Sequence, residues 1–424
     1  MSQIPEYGID DASQHGGLRF MLRAFKYRNY RLFFAGHGVS MIGTWIGQVT
    51  VGWLVYRLTG SPLKLGLVTF AGQIPVFLMS PLAGVMADRW DRRRALLVTE
   101  TIALLAAMTL AVVTLTGYVT YGWVLLVQIV QGTAKAFNIP TRQALVVSLI
   151  EDKADLTNAI ALNSSIVNGA RLVGPSIAGV LIAAFGEGLC FLLDGLSFVF
   201  VLVSLMIMRL KPAPRGPRRH VLQDLIEGVR YAANQPTIRT LLLLVAVINL
   251  AGVSHQALLP IFAKDVLHGT SITMGLMMGA TGFGALGGAV FLASRPSAEG
   301  LSRVVAGATA MFGISLLLLG WSTHLPLSLV AMAGAGFGMM MTMAGSNTVV
   351  QTVVDDAKRG RAVSLFVMAT LGTAPLGGLI AGKVAALIGA PMTVLSGGLV
   401  VLGISAIFAT RTGLLESDLA AAPQ

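Results

Sequence analysis

Eleven residues, GVMADRWDRRR from Gly84 to Arg94, concentrate the chemistry of this chain. Asp88 and Arg89 stand side by side, and Arg92, Arg93 and Arg94 follow. An acid–base pair beside an arginine cluster can make and break ion pairs without any cofactor. Both flanks are long apolar runs, so the segment is a short charged hinge. A second set of ionisable groups lies inside apolar runs: Glu100, Lys135, Arg171, Asp194 and His255. Charges embedded in such sequence are costly and point to function by default. A third set is polar but uncharged: Gln48, Gln73, Gln131, Asn138, Asn249, Gln256 and Asn347, interleaved with Trp45 and Met343. The chain shows no nucleophile–base constellation, no metal-ligand spacing and no phosphate-binding loop. The pattern does not read as an enzyme, and it implies no cofactor and no metal.

Composition says which elements must position these groups. Of 424 residues, 55% are hydrophobic and 12% charged, and mean hydropathy is +0.77. A soluble domain carries about 25% charged residues. Apolar runs of roughly 20 residues, not short alternating strands, hold the hydrophobicity. The fold class is therefore an all-α integral membrane protein. The net charge is +11, but the basic residues lie in short loops between apolar runs. That placement excludes nucleic acid as a partner and names the lipid bilayer instead. Cys190 is the single cysteine, which rules out an internal disulfide and a cysteine metal cluster. The first 31 residues lack the apolar core of a cleavable signal peptide.

Twelve spans are predicted, at 32–56, 65–87, 95–117, 121–144, 159–184, 188–208, 239–262, 272–293, 303–321, 325–349, 361–385 and 389–410. Twenty-four of the 30 Lys and Arg fall on the N-terminal side of the membrane. Four lie opposite (Arg57, Lys64, Lys264 and Lys383), and Lys135 and Arg171 lie inside spans. This asymmetry predicts that both termini are cytoplasmic. The chain divides into a cytoplasmic segment (1–31), a six-helix bundle (32–208), a linker (209–238), a second six-helix bundle (239–411) and a cytoplasmic tail (412–424). In the linker, Pro212, Pro214 and Pro217 break helix, and then Leu222, Leu225, Ile226, Val229 and Ala233 recur at helical spacing. The linker is read either as an amphipathic helix on the membrane surface or as a plain solvated connection. AGVLIAAFG at Ala178–Gly186 parallels AGKVAALIG at Ala381–Gly389, with Asn138 and Asn347 upstream of each. Two pseudo-symmetric bundles around a long linker form a common transporter plan.

These residues and this plan together resemble the major facilitator superfamily. GVMADRWDRRR is similar to the superfamily's signature between helices two and three, and departs from it at Asp91, where many members have Gly. Ala170, Gly174, Pro175, Ala178 and Gly179 resemble the antiporter motif of exporters, with Ala at two places where Gly is usual. Segments Ile42–Pro62, Phe137–Leu145, Phe191–Phe198 and Arg359–Phe366 are similar to the bacterial branch holding the enterobactin exporter and macrolide efflux proteins.

The resemblance implies secondary active transport by alternating access, by a monomer in the bacterial inner membrane. It implies a cytoplasmic gate in which Asp88 and Arg89 bridge to helices four and eleven. Gly84, Arg92 and Arg93 belong to that motif, and Asp355, Arg359 and Arg361 are partners for it. The alternative role for the arginines is to anchor the loop at anionic lipid. Spans two, five, eight and eleven are expected at the interface between halves, the glycines of the last three serving gating or static packing. Trp45, Gln48, Gln73, Gln131, Lys135, Asn138, Arg171, Asn249, His255, Gln256, Met343 and Asn347 are candidates for a substrate cavity, each with helix packing as the alternative. Glu100, Asp194 and His255 are the proton-coupling candidates, since the first span contains no Asp or Glu. The peripheral place that the resemblance gives spans three and six favours structural pairing for Glu100 and Asp194 over proton carriage. Glu100 with Lys135, and Arg171 with Asp194, are the expected pairs. The expected activity is proton-driven export of a small amphipathic molecule of the drug or siderophore class. Import of a polar metabolite, and a non-transporting receptor on the same fold, are the alternatives.

Overall fold

The computed structural model describes residues 22–209, 230, 235–295, 297, 299–354 and 356–421, with side chains described throughout except at 81, 85, 87–89, 153, 254, 356–359, 361 and 418–421. All regular structure among the described residues is helical. Ten stretches are long and apolar enough to cross a membrane. One of them, Ala154–Ile207, holds two helices that meet at Gly186. Tyr121–Ser148 adds a further helix of 28 residues, less apolar because it carries Gln128, Gln131, Lys135, Asn138 and Arg142. Among the described residues this makes twelve spanning helices, in two bundles of six, and the chain is an all-α membrane protein.

In chain order the first bundle comprises α1 (Arg28–Thr59), α2 (Pro62–Arg89), α3 (Arg92–Leu115), α4 (Tyr121–Ser148), and α5 and α6, which share Lys153–Ile207 before and after Gly186. The second comprises α7 (Pro236–Val266), α8 (Ser271–Ala293), α9 (Leu301–Trp321), α10 (Leu325–Val353), α11 (Asp356–Ile388) and α12 (Ala390–Ala409). A short helix, α13 (Thr412–Ala421), ends the chain. Lipid offers backbone groups no hydrogen bonds, so each span must satisfy its own. Ser61, Asp91, Asp152 and Thr270 cap the first turns of α2, α3, α5 and α8 with side-chain oxygens. The reversals α5–α6 and α11–α12 fall on Gly186 and Gly389, at φ +79° and +84°, a region that favours glycine.

Within the first bundle α1 packs on α5–α6, α2 on α4, and α3 on both α4 and α6. Within the second, α10 packs on α8 and α9, and α12 on α9. The halves meet along two seams, α5 with α8 and α2 with α11. Leu78, Leu105, Val112, Phe200, Trp321 and Val330 are exposed on the bundle surface, as lipid contact requires. With an even number of spans, both chain ends lie on one side, here the terminal side. The opposite face is the far side.

Three features differ from the sequence reading. The segment read only as cytoplasmic, 1–31, carries a local element before α1. Residues Arg23–Lys26 form a 3₁₀ turn docked on the start of α5. There the Ala24 N–H donates to Asn158 Oδ1 at 3.0 Å. Asp155 pairs with Lys26 at 2.5 Å and Arg23 at 3.5 Å. The tail holds α13, whose Leu415 is buried. Its Glu416 carboxylate accepts the backbone N–H groups of Gly300 (2.9 Å) and Ser302 (3.1 Å). Those donors open α9 and have no partner within it, so a distant residue caps the helix. Third, α7 is irregular, with π turns at Ile248–Gly252 and Phe262–Val266 and a 3₁₀ stretch at Val253–Leu258 between them. The predicted amphipathic helix falls on residues 210–229 and 231–234, outside the described residues.

Candidate functional site

The site is the interface between halves, and glycine builds it. On α2, Gly66, Thr69, Gln73 and Phe77 follow a helical stripe. A Cβ on Gly66 would lie 2.6 Å from Gly378 O, and one on Gly382 would lie 2.6 Å from Pro62 O. The second seam repeats this arrangement. A Cβ on Gly179 would lie 2.6 Å from Ser271 O, and one on Gly275 would lie 2.6 Å from Pro175 O. Ser271 Oγ donates across that seam to Gly179 O at 2.8 Å. Gly179 and Gly382 hold the same place in the two repeated nonapeptides. The repeat therefore records one contact used twice, with each half offering a small residue to the other half's backbone.

Both seams close the far side. Tyr56 on α1 hydrogen-bonds to Asp265 on α7, and Lys264 lies 5.7 Å from the Tyr56 ring centre. Gly52 on α1 faces Pro260 and Met274 of the second half. On the terminal side the arrangement changes. A Cβ added to Gly84 on α2 or to Gly169 on α5 would find nothing within 4 Å. The halves thus meet backbone to backbone at the far side, whereas Gly84 and Gly169 toward the termini face no neighbour.

Trp45, Gln48 and Gly52 share one face of α1, at spacings of three and four. Gly52 points at the other half, so Gln48, which is exposed, points into the gap one turn below it. Arg171 of α5 lies 6.0 Å from the Trp45 ring centre, a cation–π contact. It reaches α1 rather than Asp194. Gly174 allows this crossing, since a Cβ there would meet Trp45 Cβ at 2.6 Å. Gln73 is exposed on the α2 seam stripe, while Gln131, Lys135, Gln256, Met343 and Asn347 are half-buried. Gln256 approaches Met339 Sδ at 3.9 Å.

Three cavity candidates turn out to be packed inside a half. Asn138 is 9% exposed and donates to Glu100 Oε1 at 2.9 Å and to Thr99 Oγ1 at 3.1 Å. Asn249 donates to Val245 O of its own helix. His255 is 3% exposed, with Nδ1 2.6 Å from Gly252 O and its ring edge-on to Phe312. Both amides and the Nδ1 of His255 have partners inside the protein, as buried polar groups usually do, while His255 Nε2 is buried without one. Glu100 therefore pairs with Asn138 rather than Lys135. Asp194 sits beside Gly47 of α1, and it is Asp194 whose charge interacts with Lys135.

The charged hinge is described in part. The side chains of Asp88, Arg89, Arg359 and Arg361, and all of Asp355, lie outside the described residues. Arg92 Nη1 donates to Ala144 O at 3.3 Å, and Arg93 Nη2 donates to Met206 O at 2.6 Å. Both carbonyls belong to the last turns of α4 and α6, where cations are favoured. Asp91, the departure from the superfamily pattern, accepts the Arg94 N–H at 2.8 Å and caps α3. Of the antiporter-like motif, Pro175 and Gly179 lie on the α5–α8 seam, Gly174 against α1, and Ala170 and Ala178 are buried. The sequence reading missed Tyr56, Asp265, Ser271, Asp155, His37 and Arg142. Tyr56 and Asp265 were missed because each is unremarkable on its own helix and only the fold joins them.

Two six-helix halves joined along two glycine seams are the architecture of a transporter of the major facilitator class. The chain belongs to the family described as Transmembrane secretion effector, whose profile matches residues 21–423. It is similar to the Staphyloferrin A transporter of Staphylococcus aureus, 27% identical over 354 residues, covering 82% of this chain and 88% of that one. The Multidrug efflux pump Tap of Mycolicibacterium fortuitum is 28% identical over 408 residues, covering 92% and 95%. Macrolide efflux protein A of Streptococcus pyogenes is 23% identical over 304 residues, covering 70% and 74%. Among solved structures, the nucleoside transporter NupG superposes with a TM-score of 0.73 at 14% identity, covering 92% of this chain and 100% of that one. A bacterial homologue of the iron transporter ferroportin in its inward-facing state gives 0.68 at 18% identity, covering 90% and 98%. At such identity these two speak for the fold alone.

Proposed function

We propose that this transporter exports a small amphipathic molecule of the drug or siderophore class from a bacterial cell, driven by proton influx through alternating access. One observation carries the reading: paired glycines bring the halves into backbone contact at the far side, while Gly84 and Gly169 at the terminal side face open space, which we read as a terminal-side opening. With the termini cytoplasmic, as the loop arginines favour, this is the state that loads cargo from the cytoplasm. Trp45, Gln48 and Arg171 present an aromatic face, an amide and a cation to that opening. The efflux pumps among the relatives support the outward direction.

In the opposite state the terminal side must close. Asp88 and Arg89, meeting the α10–α11 connection at Asp355, Arg359 and Arg361, are the proposed latch. Reconstitution into vesicles with an imposed pH gradient, using a macrolide as the test compound, checks the coupling. Flux should rise with the gradient, and flux indifferent to it would sink proton drive. Uptake lost in a deletion strain would instead favour an importer.

A further inference from the structure

One face of α4 remains unused by the cavity between the halves. Lys135, Asn138 and Arg142 lie at spacings of three and four, a single helical stripe. That stripe looks into the first bundle, toward α3, α1 and α6. Arg142 Nη1 donates to Asn138 Oδ1 at 3.4 Å, and Asn138 Nδ2 donates to Glu100 Oε1 at 2.9 Å. The amide stands between guanidinium and carboxylate, so the two charges are joined through it without an ion-pair contact. His37 of α1 is 3% exposed, stacks on Phe33 at 5.1 Å, and its Nε2 is buried without a partner.

His37, Glu100, Arg142 and Ser204 line a small cavity of about 10 Å³, near the space one water needs. A buried ring nitrogen without a partner beside a buried carboxylate and a water-sized void is an arrangement that proteins otherwise avoid. Glu100 is eight residues into α3 from Arg92, about 12 Å below the terminal surface. Toward the far side, Lys135 continues the stripe to Asp194, whose Oδ1 is likewise buried without a partner.

We propose that α1, α3, α4 and α6 enclose a proton-binding site centred on Glu100, separate from the cargo cavity. The proposal rests on the proton-driven reading above and assigns its carrier. A hydronium in the cavity gives a proton to a Glu100 oxygen and leaves as water. The new O–H neutralises the carboxylate, and Arg142 loses its counter-charge. Release reverses both steps. His37 positions the cavity water, and Asn138 fixes the carboxylate rotamer. The groups facing Glu100 are thus Asn138 and Arg142 from α4, His37 from α1 and Ser204 from α6, with the Asp194 charge acting from further along α6.

Infrared difference spectra of the reconstituted protein, recorded as pH rises from acid to mildly alkaline, test this without knowing the cargo. A carboxylic C=O band should disappear with rising pH in the wild type and be missing from Glu100→Gln. His37→Gln, which keeps a polar group, should move its midpoint by about half a unit or more. The same band surviving in Glu100→Gln, or no such band in the wild type, overturns the site. If Glu100→Gln does not fold, an unchanged midpoint in His37→Gln overturns it equally. Gradient-driven flux in the same vesicles separates the two claims. A titrating Glu100 band with flux indifferent to the gradient supports the site and sinks the coupling. Gradient-driven flux retained within twofold by Glu100→Gln leaves the coupling and removes this carrier.

Discussion

Gly179 shows how one absent methyl permits a close contact between the halves. It faces the backbone of α8, where an added Cβ would lie 2.6 Å from Ser271 O. Overpacking of this kind typically costs about 1–3 kcal/mol, and under the proposed alternating access the strain would fall on the far-side-closed state. Gly179→Leu is expected to express and insert, yet to lower transport at least about tenfold, as vesicle flux would show. Gly84 makes the complementary case. Its Cβ position is empty in this state, so Gly84→Val should leave this conformation intact in thermal melts. If the hinge closes in the opposite state, turnover should still fall, and unchanged turnover would remove Gly84 from the gate. Tyr56 and Asp265 hold the far side by a hydrogen bond to a partly exposed acceptor. Tyr56→Phe should release about 1 kcal/mol of closure, read as roughly fivefold faster thiol labelling of a far-side reporter cysteine.

At the scale of the helix, the ends matter more than the apolar middles. Glu416 on α13 satisfies two N–H groups at the start of α9, a capping interaction between residues far apart in sequence. Its removal by Glu416→Ala should cost about 1 kcal/mol and lower the melting temperature without changing substrate affinity. The Arg23–Lys26 turn is tied to α5 through Asp155. The hydrogen bond to Asp155 raises the Lys26 ammonium above its ordinary pKa of 10.5. A raised lysine stabilises the docked form fully below that ordinary value and loses its contribution only as pH climbs beyond it. The dock should therefore hold through neutral pH. Asp155→Ala should free the turn, seen as faster proteolysis near Lys26.

For the whole molecule, the proposed alternating access requires both seams to open, because each joins one half to the other. An ideal Cβ on Gly378 lies 3.5 Å from Thr69 Cβ, inside the range that a disulfide spans. Oxidised Thr69→Cys/Gly378→Cys should lock the far side, stop transport, and recover on reduction. Cys190 is buried and should not interfere. Transport that continues through the crosslink would mean that the α2–α11 seam does not open during the cycle.

The spans, their number and the charge asymmetry were legible in the sequence because lipid forces long apolar helices and short basic loops. The nonapeptide repeat was legible too, but not that its second residues, Gly179 and Gly382, each meet the backbone of the other half. Which way each polar residue turned was not. Asn138 and His255 read as cavity groups because periodicity cannot tell the face toward the gap from the face toward a neighbouring helix. Gln48 was assigned only when Gly52 was seen to face the other half. The pairings Glu100–Asn138, Arg171–Trp45 and Tyr56–Asp265 join different helices, so only tertiary packing could decide them. The sequence by itself determined what must lie in the membrane and how often it crosses. The tertiary structure decided which side is sealed and where the buried charges meet, since both depend on the rotation of each helix about its own axis.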